Sequence, residues 1–210
     1  MTQSSLIDSD QHSLQRFIWL LNQRGYRFWP EDKLCEVISV RNKKPDFYVR
    51  APGHDFLAEV ESFEKRLPRL GQAMSGNPAW ESRRILTAVR HAAQQLRDYA
   101  HLNLPTVVVL DNWRRIGLPT DIGTLWAALF TPQGRGQPLL NSKNKRNVSA
   151  VAWNLPKTRP IDEDAINTEP PMCVRVLHNP YADIPLCSTV FGSTSDEHYR
   201  ISQRGRPIRF

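Results

Sequence analysis

Leu14, Phe17, Ile18, Leu20 and Leu21 recur at helical spacing, so residues 11–24 are expected to form a helix. Ser9 or Asp10 would cap its start and Gly25 would stop it. Residues 34–40 read as a strand, and Arg41 to Lys44 as the turn that follows. Pro45 then opens two short apolar runs, 46–50 and 56–62. The Pro- and Gly-bearing stretch between them (Pro52, Gly53) marks a hairpin. Residues 66–77 carry Pro68, Gly71 and Gly76 and read as a loop. Ile85, Val89, Ala92, Ala93 and Leu96 form the apolar stripe of the longest helix, 80–100, with Arg83, Arg90 and Arg97 off that stripe. The β-branched run 105–110 has the continuous hydrophobicity of a strand covered on both faces. Residues 121–130 predict a shorter helix, with further strands at 148–154 and 173–177. The Gly-, Pro- and Asn-rich stretch 131–145 and the Pro-rich, acidic stretch 155–171 read as loops. Helix, strand, hairpin, helix and strand in that order predict an α/β fold: a mixed central β-sheet flanked by helices.

Three carboxylates sit where a half-buried hairpin should carry none. Asp46 opens the first run, and Glu59 and Glu61 lie in the second. Alternate strand residues share a face, so Glu59 and Glu61 point the same way. Pairing across the turn would bring Asp46 to the same face. Burying such a trio is costly without neutralisation. A hard divalent cation, Mg²⁺ or Mn²⁺, would neutralise it and bind phosphate oxygens directly. The competing reading makes Asp46 a turn residue and Glu59 and Glu61 a solvent-facing stripe.

The chain has 210 residues, of which 40% are hydrophobic, enough for one domain with a sizeable core. Its 28 Lys and Arg outnumber 21 Asp and Glu, for a formal charge of +7. That balance favours a polyanionic partner, nucleic acid above all. Cys35, Cys173 and Cys187 are widely spaced, form no zinc pattern and are expected to be reduced and partly buried. No signal peptide and no membrane-length apolar run is read, so a cytoplasmic location is expected. One domain spans 1–210, with residues 196–210 as a mobile basic tail.

Pro45-Asp46, then Glu59-Val60-Glu61 on the next strand, then a long helix and a hydrophobic strand, resemble the PD-(D/E)XK nuclease superfamily, the restriction-endonuclease-like fold. The resemblance covers residues 11–111, a nuclease-like core, with 112–195 extending the sheet. It implies Mg²⁺-dependent hydrolysis of phosphodiester bonds in DNA, with Asp46 and Glu59 as metal ligands. Glu61 stands where the motif has lysine, and would serve as a further ligand or as a general base. Lys65 shares that face if the strand continues. Gln95 and Tyr99 have the Gln-x-x-x-Tyr spacing of the RecB-like branch, which implies contacts to DNA on a helix face shared with Arg84 and His91. Without the lysine, the alternative is a catalytically inactive nuclease-fold protein that binds nucleic acid or assembles a complex. A homodimer or larger protein complex also stays open. For the arginines of the long helix, His54, and Lys143, Lys145 and Arg146, a solvated surface is the competing reading.

Overall fold

The computed structural model describes residues 9–40, 43–62, 78–111, 121–132, 136–157 and 170–210. Its centre is one sheet of eight strands arranged in chain order. These are β1 (Arg27–Pro30), β2 (Phe47–Ala51), β3 (His54–Ser62), β4 (Thr106–Asp111), β5 (Ala150–Pro156), β6 (Met172–His178), β7 (Glu197–Ile201) and β8 (Pro207–Arg209). The pairs β3–β4, β4–β5 and β6–β7 are parallel, and the other four are antiparallel. The expected mixed α/β architecture is therefore present. Three α-helices cover the sheet: α1 (Ser9–Gln23), α2 (Pro78–Arg97) and α3 (Ile122–Phe130).

Side-chain alternation splits the core in two. Phe47, Val49, Phe56, Ala58, Val107 and Val109 face α1, whose Phe17, Leu20 and Leu21 are fully buried. Tyr48, Leu57, Val108, Leu110, Val151 and Trp153 face α2 and α3. β4 is buried along its whole length, as its β-branched run anticipates. α1 ends in a left-handed Gly25 (φ +68°), with Gly25 N–H donating to Asn22 and Tyr26 N–H to Leu21. That pair of bonds is a Schellman stop, which glycine adopts without a Cβ penalty. α3 starts on Asp121, whose carboxylate accepts from Thr124 N–H at 2.9 Å. Between β2 and β3 the chain turns on Pro52 and Gly53 alone, Gly53 having φ +77°. Proline then a positive-φ glycine is what a type II turn requires.

Three expectations are corrected. Residues 34–40 are not a strand. The first strand lies earlier, at Arg27–Pro30, and Glu31–Glu36 form a 3₁₀ helix. Pro30 limits β1 to the sheet edge, and only Leu34 of the next six residues is buried, so the stretch lacks the period of a strand. Cys35 is exposed rather than partly buried; Cys173 and Cys187 are half-buried, and none of the three forms a disulfide. Residues 196–210 are not a free tail, because they supply β7 and β8. Asp196 is buried against Arg24, the residue that follows α1, through two bonds, at 2.7 and 2.8 Å. Glu197 is paired with Arg175 on β6 and Arg209 on β8. The charges that make this segment read as solvated are cross-strand partners. Among the described residues, no helix is long and apolar enough to cross a membrane.

Candidate metal centre

The two-residue turn decides the register. Phe47 pairs with Ala58, which sets Asp46 opposite Glu59 one step further out. Both lie on the face that carries Tyr48 and Leu57, beneath α2. Asp46 Oδ2 accepts from Val60 N–H at 2.7 Å, and Asp46 N–H donates to Glu59 Oε2 at 3.3 Å. Glu59 is 4% exposed. Its other oxygen, Oε1, accepts from the Gln95 side-chain amide of α2. Glu61, one alternation further on, meets His91 Nδ1 at 3.2 Å.

α2 runs antiparallel to β3 over these contacts. A four-residue helical step of about 6 Å matches a two-residue strand step of about 6.6 Å. So when Gln95 falls on Glu59, His91 falls on Glu61. That matched spacing was present in the sequence, but nothing there fixed the angle of α2 to the strand.

Burial is the main reason both inner acids resist ionisation. It lifts Glu59 to about 9, with the Asp46 charge adding to it, and lifts Asp46 to about 6. Glu31 and Asp10, neither of which sequence reading placed at this site, add further negative charge around Asp46. Glu61 is also raised by burial, and His91 pulls it part of the way back. Among the described residues, no positive charge acts on Asp46 or Glu59.

The folded protein therefore holds protons that the unfolded chain releases near the ordinary carboxylate range. The pair's contribution to stability falls as pH rises from about 5 through 9, opposed below about pH 6.5 by His178 and His198, whose burial favours the neutral ring. Thermal melts in EDTA are expected to show a loss of at least about 1.4 kcal/mol over that range, the equivalent of one pKa unit. A melting temperature that climbs between about pH 7 and 9, above the histidine range, would contradict the burial of charge at this pair.

Beside the acids lies a cleft of about 450 Å³ lined by Glu61, Ser62, Arg83, Arg84, Thr87 and His91. Arg84 is partly buried there, which lowers its pKa. Tyr99 lies elsewhere: it follows the end of α2 and is 1% exposed within the core. Gln95 and Tyr99 thus do not present a common face to a nucleic acid. Lys65 lies outside the described residues. Arg146 is on the surface, paired with Asp183.

On the opposite face, Asp111 at the end of β4 is fully buried and accepts from Arg16 Nε at 2.9 Å, Ser13 at 3.1 Å and Asn154 at 3.0 Å. Nothing in the sequence pattern marks this network.

Among the described residues, no three His, Cys, Asp or Glu side chains are gathered tightly enough to form a metal cage. Comparison with protein-family models, curated proteins and solved structures finds no match to this chain.

Proposed function

We propose that the protein is a Mg²⁺- or Mn²⁺-dependent nuclease that hydrolyses phosphodiester bonds in DNA, on a restriction-endonuclease-like core of the PD-(D/E)XK type. The observation that carries this is the Asp46–Glu59 pair: two adjacent buried carboxylates, neither of which has an ion-pair partner among the described residues, and each raises the other's cost of ionising. A purely structural pair of acids would be expected to have an arginine or lysine against it, as Asp111 and Asp196 do. The residues suit Mg²⁺ despite the absence of a three-acid cage, because Mg²⁺ commonly takes one or two carboxylates and completes its shell with waters and substrate phosphates. When bound, the ion would polarise the phosphate and lower the pKa of a water.

The chain's own groups supply the rest. Asp46 and Glu59 would hold the ion, and Val60 N–H and Gln95 each bond one oxygen of these acids. Glu61 lines the cleft and would accept a proton from the attacking water, with His91 hydrogen-bonded to it. Arg83 and Arg84 line the same cleft and would offset the charge that builds on the phosphate.

Incubation with supercoiled plasmid is expected to give Mg²⁺- or Mn²⁺-dependent nicking that EDTA stops. Calorimetric titration should detect Mn²⁺ binding, weakened about 10–100-fold in Gln95→Leu because that amide orients a ligand. Absence of cleavage with either ion, together with absence of Mn²⁺ binding, would remove the reading. The lysine position occupied by Glu61 favours a second one, a nucleic-acid-binding protein of the same fold without turnover. That protein would bind DNA in EDTA and cut it under no condition.

A further inference from the structure

The face that carries Asp46 and Glu59 continues along β2 into a second surface. Asp46, Tyr48 and Arg50 alternate onto the same side, and Tyr48 and Arg50 lie opposite Trp29 and Arg27 of β1. The Arg50 guanidinium lies over the rings of Trp29 and Tyr48, 5.5 and 5.9 Å from their centroids. Asp55 holds its Nε at 3.2 Å, and Tyr48 accepts from Nη2 at 3.3 Å. Nη1 makes no hydrogen bond within the described residues, and half of the side chain is exposed. Arg27 is exposed on the edge strand and has no acidic partner among the described residues. The two arginines and His54 border an open cleft of about 650 Å³.

Like charges directly opposite on neighbouring strands destabilise a sheet. Arg27 opposite Arg50 is such a pair, and Asp55 offsets only one of its members. An anion across both would remove the repulsion. Positive charge beside an aromatic platform is also the recurring make-up of surfaces that track a nucleic-acid backbone. Arg50 is four residues from Asp46, about 13 Å at strand rise, so a strand cut at the acids would pass this surface within a few nucleotides.

We propose that Arg27 and Arg50, with Trp29 beneath them, bind the phosphate backbone of a nucleic-acid strand on the side leading away from the Asp46–Glu59 pair. The inference rests on the nuclease reading only for the direction of the strand; binding itself needs neither metal nor turnover.

The test is binding of a short fluorescein-labelled single strand in EDTA, followed by anisotropy between about 50 and 200 mM salt. Arg27→Ala with Arg50→Ala is expected to weaken binding about tenfold and to flatten the log–log salt slope by about 1.4, the loss of two single-strand phosphate contacts. Arg204→Ala with Arg206→Ala removes the same charge from the opposite edge of the sheet, near β8, and should leave the slope unchanged. Equal effects in both double variants, no effect in either, or no binding by the parent protein would each overturn the proposal. Loss of binding in the first variant stands even if no cleavage is ever seen, so the two readings fail separately.

Discussion

Glu59→Gln is expected to do two opposite things: abolish metal-dependent cleavage and make the protein more stable. Cleavage should fall by at least about 10³-fold, or about 4 kcal/mol of barrier, because the amide removes a charged ligand from the ion. Above pH 8 the melting temperature should rise by roughly 3–6 °C, as about 1–2 kcal/mol of destabilisation is relieved. The gain follows from the raised pKa. At high pH the folded state must carry an ion in a site where burial and Asp46 both oppose it. Glutamine keeps the size of the side chain and removes that ion. Saturating Mn²⁺ should act in the same direction on the parent protein, raising its melting temperature more at pH 8 than at pH 5.5, since binding displaces protons. A stabilised variant that still cuts would detach Glu59 from the chemistry. An inactive variant that melts earlier would show that the site carries no excess negative charge. Strain held at a working site and offset elsewhere is a common pattern in enzymes.

The largest stability loss should come from Asp111→Ala. It leaves the Arg16 guanidinium, 1% exposed, without its carboxylate. Removing one partner of a buried ion pair costs about 3–5 kcal/mol, which is roughly 10 °C of melting temperature for a chain of this size. Joining Arg16→Met to Asp111→Leu should recover much of that loss, because two apolar side chains leave no stranded charge. Chemical denaturation of the two variants measures the difference. If Asp111→Ala unfolds at the parent midpoint, the network is not the clamp between α1 and β4 that its geometry describes.

The parts of the fold that were legible in the sequence are those with a single strong period. The apolar stripe of α2, the uninterrupted run of β4 and the Pro52–Gly53 turn each follow from local rules, and the carboxylates fall on one face because the turn leaves no other register. What stayed hidden depends on partners distant in sequence. β7 and β8 read as polar because Glu197 is satisfied by Arg175 and Arg209, and Asp196 by Arg24. Residues 34–40 looked like a strand on apolar content alone, while Pro30 had already ended the strand that does form. At the metal centre, Gln95 was read as a contact to DNA, yet its amide is spent on Glu59. Tyr99, its companion in the spacing, is a core residue. A spacing on one helix cannot tell whether the face it defines looks outward or down onto a strand.

The tip of the β2–β3 hairpin is ordinarily where a protein tolerates extra residues. Here it is a ruler. Asp46 and Glu59 stand opposite one another only because two residues, and not three, separate the strands. One added residue would shift the pairing of β2 against β3 and turn one of the two acids to the face beneath α1. On the proposed reading, activity would then be lost from a point far from the acids, with both of them still in place in the sequence. The length of that loop therefore matters to the proposed metal site as much as the acids it aligns.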